Sequence, residues 1–315
     1  MIVLDTTRAV VEQAKLVSID EAAIAHWAAS LPPDALRPSV HDLPGLLPGN
    51  RGQLANLTLL IDALNFCFWS DDPLRVEWAG RTYRRFEAMF VSILCAAQDD
   101  PKWFDARHWV EAPTSAIRTL FAGQGTLLML EERERVIRET GQALLDRFDG
   151  RFEDAVDSVN RKAWPLAILL MTNFDSFRDV ARYNDQPVYL MKRAQICALD
   201  LSIAWEANGH GALDGVDELT AFADYRVPQA LRHLGILRLD PDFSAQIARR
   251  ELLAPGGPGE VEIRAATIQA VERMKVALAG RGRAVPTWTL DVYLWALARG
   301  DGVTVEHHRT LTTNY

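Results

Sequence analysis

The 315-residue sequence predicts an all-α fold, mostly helical with one small β-hairpin. Three observations carry that expectation. Apolar residues recur at three- and four-residue spacing through about a dozen segments, the repeat of one helix face. A single stretch, residues 75–83, alternates in the manner of paired strands. No β-α-β alternation occurs, and no Gly-x-Gly-x-x-Gly follows a strand, which argues against a parallel nucleotide-binding sheet.

In order along the chain, residues 5–17 and 19–30 read as two short helices on the spacing of Val10, Val11, Ala14 and Ala23, Ile24, Trp27, with Ser18 as a cap between them. Residues 31–50 hold Pro32, Pro33, Pro38, Pro44, Pro48 and Gly49 around His41, a long connection or a lid. Residues 52–69 form a buried helix on Leu54, Leu57, Leu60, Ile61 and Leu64, closed by Ser70, Asp71 and Asp72. The hairpin follows, with Val76, Trp78 and Thr82 alternating about Ala79-Gly80. Helical spacing then returns over residues 84–97, 105–108, 115–121, 129–148, 152–160, 163–172, 191–205, 228–237, 262–279 and 290–298. The run Glu131, Glu132, Arg133, Glu134, Arg135 is a solvated face. Pro255-Gly256-Gly257-Pro258-Gly259 marks a loop or hinge. With no internal repeat, the whole of 1–315 reads as one helical domain.

Composition narrows the partners. The chain is 49% apolar and 24% charged, ordinary for a soluble globular protein. A net charge of −8 argues against binding nucleic acid through its phosphate backbone, which calls for a basic face. Apolar runs such as 165–171 are too short to cross a bilayer, and residues 1–21 lack a secretory apolar stretch. Cys67, Cys95 and Cys197 are an odd set without metal-ligand spacing, and the seven histidines show no zinc pattern. These features predict a cytoplasmic protein, with no metal, no cofactor and no membrane partner. They do not set an oligomeric state.

Several polar-aromatic clusters stand out from this scaffold. Asp224 precedes a helix opened by Pro228, so it is either a cap or an ionised carboxylate aimed into a cavity, suited to stabilise an oxocarbenium-like sugar or to activate water. Lys192 opens the preceding long helix, where the dipole favours anions, so its ammonium is either solvated or held by a carboxylate or a substrate phosphate. Asn65, Phe66 and Phe68 form either a helix end or a wall on which a planar heterocycle stacks. Asp175, Phe177 and Asp179 form a third patch, and Asp291 shares a helix face with Trp295. The last residues, among them His308 and Arg309, are rich in donors that suit an anion.

Five of these blocks, NFCFW (65–69), SFRD (176–179), KRAQI (192–196), FADYRVP (222–228) and DVYLW (291–295), resemble the queuosine salvage proteins, which are queuosine 5′-phosphate N-glycosylases/hydrolases. The resemblance implies a helical, DNA-glycosylase-like fold. It also implies hydrolysis of the N-glycosidic bond of queuosine 5′-monophosphate, giving queuine for tRNA modification and ribose 5-phosphate. A more distant likeness is to helix-hairpin-helix DNA glycosylases, in whose pattern Lys192 and Asp224 match a lysine and an aspartate at successive helix starts. The residues before Lys192 lack the Gly-x-Gly hairpin that grips DNA phosphates, and the lysine and aspartate lie 32 positions apart, longer than is usual there.

On this reading Asp224 stabilises the ribosyl cation and orients water, with Lys192 beside it or on the phosphate. The base stacks among Phe66, Phe68, Phe177, Tyr225 and Trp295. Asp71, Asp175, Asp179 or Asp291 meets the guanine-like edge or the cationic amine of queuine. His41, His308 and Arg309 are further phosphate candidates. The alternatives are a non-catalytic binder of a modified base or nucleotide, and a DNA repair glycosylase.

Overall fold

A computed structural model describes residues 1–36, 47 and 49–315 of the chain. His41 and most of the proline-rich connection lie outside the described residues. Among the described residues there are fourteen α-helices and three antiparallel pairs of short strands. Mostly helical is therefore right, but two more strand pairs accompany the expected hairpin.

Helix α1 (Ile2–Val11) is followed by strand β1 (Val17–Ile19) and then α2 (Glu21–Ser30). Ser18 is thus not a cap. It pairs with Arg238 within a strand, and Asp20 caps α2 by accepting the Ala23 N–H at 2.9 Å. Helix α3 (Arg51–Ala63) opens with a capping box between Asn50 and Gln53. It ends six residues before the expected Trp69, because Cys67 adopts φ 54° and gives its N–H to Tyr315. Strands β2 (Arg75–Trp78) and β3 (Arg81–Arg84) turn through Ala79 and Gly80, both at positive φ, as a two-residue hairpin requires.

Next come α4 (Phe86–Asp99), α5 (Ala106–Glu111), α6 (Thr114–Thr119), α7 (Leu130–Phe148), α8 (Phe152–Ser158) and α9 (Ala163–Asn173). Strands β4 (Val180–Tyr183) and β5 (Gln186–Tyr189) form the hairpin that periodicity did not predict. Its turn is Asn184-Asp185, two residue types that tolerate positive φ, here 47° and 63°. Helix α10 (Lys192–Ala207) follows, then α11 (Arg226–His233), which Gly235 at φ 72° turns into strand β6 (Leu237–Leu239) against β1. Asp240 and Pro241 start α12 (Pro241–Ala248), also absent from the sequence expectation. Helices α13 (Pro258–Ala279) and α14 (Thr287–Ala298) complete the order.

Twelve of the sixteen residues of α10 are buried, so this helix is enclosed on all sides. It packs between α3 and α9, while α13 carries α1, α2 and α14. Between these two groups the starts of α10, α11 and α14 converge with the end of α3. Arg133 departs from the solvated face expected of its charge run: its guanidinium is wholly buried and secures that last segment. Arg133 of α7 donates to the carbonyls of Leu64 and Phe66 and lies over the rings of Phe66 (4.2 Å) and Phe68 (4.9 Å).

Candidate active site

The convergence encloses a cavity of about 470 Å³, within the range that holds a small ligand. Lys192 reaches it from the first turn of α10. Its backbone N–H is capped by Asp179 Oδ2 at 3.0 Å, and its Nζ bonds the backbone carbonyl and the side-chain oxygen of Asn65, each at 3.2 Å. Burial pushes the Lys192 ammonium below its ordinary range, while the charges of Asp224, Asp62 and Asp291 pull it back up.

Asp224 lines the same cavity. Its Oδ1 accepts the N–H groups of Arg226 (2.7 Å) and Val227 (2.9 Å) at the head of α11, so it is a cap as well as a cavity residue. Both bonds go to Oδ1, which leaves Oδ2 clear of the helix end. Burial raises its carboxyl, opposed first by Lys192 and then by those two N–H bonds. Asp291 enters from α14, and its Oδ1 accepts the Phe222 N–H at 2.8 Å. Burial and then the charge of Asp224 hold Asp291 well above the carboxylate range. Two neighbouring acids thus differ in their grip on a proton, the pattern that separates acid from base in glycoside chemistry.

Asn65, Phe68, Tyr225 and Trp295 also border the cavity. The other candidates are engaged elsewhere, each for a visible reason. Phe66 is wholly buried between the guanidinium groups of Arg133 and Arg193, and Phe177 packs on Phe174 and Arg193. Asp179 forms two bonds to Arg264, at 2.9 and 2.6 Å, and acts on the cavity only by capping Lys192. Asp71 pairs with Arg309 at 2.8 Å on the surface, and Asp175 pairs with Arg178 at 3.1 Å in solvent. Arg309 is therefore spent on Asp71 and lies over the Trp69 ring. His308 is buried and bonds the Tyr315 hydroxyl at 3.2 Å.

Other lining residues are not among the sequence candidates. Asp200, eight positions after Lys192 on α10, is one of them. Its carboxyl is buried, and among the described residues Oδ1 has no hydrogen-bond partner. Tyr315 forms part of the wall beneath the Arg264 guanidinium, 4.3 Å from its ring. Arg84, Arg85, Arg226 and Arg299 border the more exposed part. Arg85 sits at φ 59°, ψ −127°, a conformation costing about 1–3 kcal/mol for a residue with a side chain.

Residues 48–315 match the profile of the queuosine salvage protein family. A relative from Sphaerobacter thermophilus, named queuosine 5′-phosphate N-glycosylase/hydrolase, is 43% identical over 314 residues, covering 99% of this chain and 97% of its own. The chain belongs to the queuosine salvage protein family. Family relatives of the same name are more distant. The one from Mus musculus is 31% identical, covering 99% of this chain and 98% of its own, and the one from Dictyostelium discoideum is 34% identical, covering 83% and 78%. The family profile spans every residue that lines the cavity.

Proposed function

We propose that this chain hydrolyses the N-glycosidic bond of queuosine 5′-monophosphate, releasing queuine and ribose 5-phosphate. The observation that carries the reading is one cavity in which Asp224 keeps an oxygen clear of its capping bonds, with Lys192 and Asp291 around it. The family relationship supplies the substrate class, since the relatives are named for queuosine 5′-phosphate.

The chemistry follows from the difference between the two acids. Asp224, held down by Lys192 and two backbone N–H groups, is the readier of the pair to ionise. As a carboxylate it stabilises positive charge growing on the ribose ring and takes a proton from the attacking water. Asp291 keeps its proton and offers it to the departing base as a hydrogen bond or a transferred proton. Water's hydroxyl joins the anomeric carbon as the carbon–nitrogen bond breaks. The base leaves with one proton, so atoms balance at one water consumed. Phe68, Tyr225 and Trp295 supply apolar surface for a planar ring. Asp200 adds a further acid, one oxygen of which has no partner among the described residues, suited to the cationic amine of queuine.

Chromatography of base released from the 5′-monophosphate tests the reading. Asp224→Asn is expected to lose at least about a hundredfold in turnover, the scale of a positioned general base. Turnover within tenfold of the parent removes Asp224 from the mechanism. Parallel incubations with the nucleoside and with guanosine monophosphate test the substrate class. Binding of the nucleotide by the parent chain without any base release would leave a sequestering protein instead.

A further inference from the structure

Asp62 is an acid in a place that does not favour one. It lies in the last turn of α3, where the helix dipole favours cations, and it is wholly buried. Among the described residues no lysine or arginine forms an ion pair with it, and Oδ2 has no hydrogen-bond partner. Oδ1 has one, the side-chain amide of Asn65, which donates at 3.3 Å. A buried carboxyl with a single contact costs stability, and an apolar side chain would fill the same space at less cost. The single contact leads to the cavity. Asn65 gives its Nδ2 to Asp62, and its Oδ1 accepts from the Lys192 ammonium at 3.2 Å, as does its backbone carbonyl.

We propose that Asp62 is a positioning residue: it holds the Asn65 amide with its oxygen toward Lys192, and so fixes how the lysine meets the reacting centre. This rests on the reading above that Lys192 and Asp224 serve one glycosidic bond. An ammonium has three N–H groups and no lone pair, while an amide has an oxygen on one side and two N–H groups on the other. Turned over, Asn65 would set N–H against N–H at Lys192 and oxygen against oxygen at Asp62. An acceptor at position 62 therefore selects one orientation. In that orientation Asn65 takes two of the three Lys192 N–H groups and leaves the third for the cavity. Asp224 lines that cavity, and its charge does most to hold the ammonium up against burial. Burial raises the Asp62 carboxyl to about 7, yet a proton on Oδ2 leaves Oδ1 an acceptor, so the orientation persists in both forms.

The test measures kcat and KM for base release by the parent, Asp62→Asn, Asp62→Leu and the double variant Asp62→Leu/Asn65→Asp. Asparagine keeps an oxygen for Asn65 and removes the charge, so it is expected to stay within about threefold of the parent. Leucine removes the acceptor and is expected to lower kcat at least about tenfold, the scale of one hydrogen bond to a charged group, with KM nearly unchanged. Aspartate at position 65 has an oxygen on both sides and needs no orienting partner. The double variant is therefore expected to regain most of the lost kcat, which a merely structural role for Asp62 does not predict. Should Asp62→Leu not fold, Asp62→Val makes the same comparison with a smaller apolar side chain. A kcat for Asp62→Leu within twofold of the parent overturns the proposal. So does equal damage in Asp62→Asn and Asp62→Leu, or a double variant no better than Asp62→Leu.

The Lys192 ammonium supplies a readout free of catalysis. In protein labelled with nitrogen-15 lysine, its resonance is assigned by its loss in Lys192→Met and followed against pH. Asp62→Asn and Asp62→Leu both lack the Asp62 charge, so a difference between them reports the Asn65 oxygen alone. Lys192 is expected to lose its proton at lower pH in Asp62→Leu, because a hydrogen bond to the charged form is gone. The same titration in both variants overturns the proposal. If the parent releases no base from any nucleotide but the two titrations differ, the hydrolase reading fails and the positioning contact stands. If the parent releases base and Asp62→Leu does so equally well, the hydrolase reading stands and the positioning role fails.

Discussion

Two groups of buried charge flank the start of α10, and they follow opposite plans. Behind Lys192, Arg264 joins Asp179 at 2.6 Å and Glu260 at 3.2 Å and donates to the Ala223 carbonyl, while Glu260 accepts the Gly256 N–H. Every strong charge there has a partner of opposite sign. In front, Lys192 bonds an amide oxygen of Asn65, while Asp200 in the cavity wall and Asp62 behind Asn65 each keep an oxygen without a partner among the described residues. Coulomb attraction still acts between these groups, but no contact quenches it. The paired set positions residues. The unpaired set stores altered proton affinities, which is the property that acid–base chemistry uses.

The contrast can be broken from either side. The largest effect should come from the paired set. Arg264→Leu strands two buried carboxylates and is expected to cost about 3–5 kcal/mol in urea unfolding. A loss under 1 kcal/mol would mean that the pair contributes little. Asp224→Asn should invert the pattern. Asparagine caps a helix as well as aspartate does, so stability should stay within about 1 kcal/mol while turnover falls at least about a hundredfold.

Asp62 sharpens the comparison through pH. Burial raises its carboxyl to about 7, against the opposing pull of Asn65, Lys192 and Arg193. Unfolded, an aspartate titrates near 3.9. Between those values the folded chain holds a proton that the unfolded chain has lost, so stability falls as pH rises from about 4 to about 7 and levels off above. Asp62→Asn cannot ionise. Its stability relative to the parent should therefore climb across that window, and a difference flat from pH 4 to 8 would contradict a raised Asp62. The smallest effect belongs to a charge that is paired but exposed. Asp71→Ala, which loses Arg309 and Arg250, should cost about 0–1 kcal/mol in a thermal melt.

What was legible in the sequence was local. The helical class followed from periodicity, and Lys192, Asp224, Asp291 and Trp295 were marked by polar and aromatic types crowded at helix starts. What was not legible was commitment at a distance. Asp179 looked as available as Asp291, but Arg264, 85 positions later, consumes it. Phe66 and Phe177 looked like ring-stacking surface, but two buried arginines occupy their faces. Strand β1 pairs with a segment more than two hundred residues away, which no local pattern reveals. Arg85 carries no local signal, because its positive-φ backbone exists only in three dimensions. Other signals were present and unread, such as the Asn184-Asp185 turn and the Asp240-Pro241 helix start.

Arg133 has one further consequence, which is mechanical. Its guanidinium ties the Leu64 and Phe66 carbonyls to α7, and Asn65, held between those two anchor points, grips the ammonium of Lys192. The linkage is a short lever. One arm is a helix whose outer face carries a dense run of charge, the other is the lysine, and the fulcrum is a single asparagine. Two side chains, Arg133 and Asn65, therefore link α7 to the ammonium of Lys192.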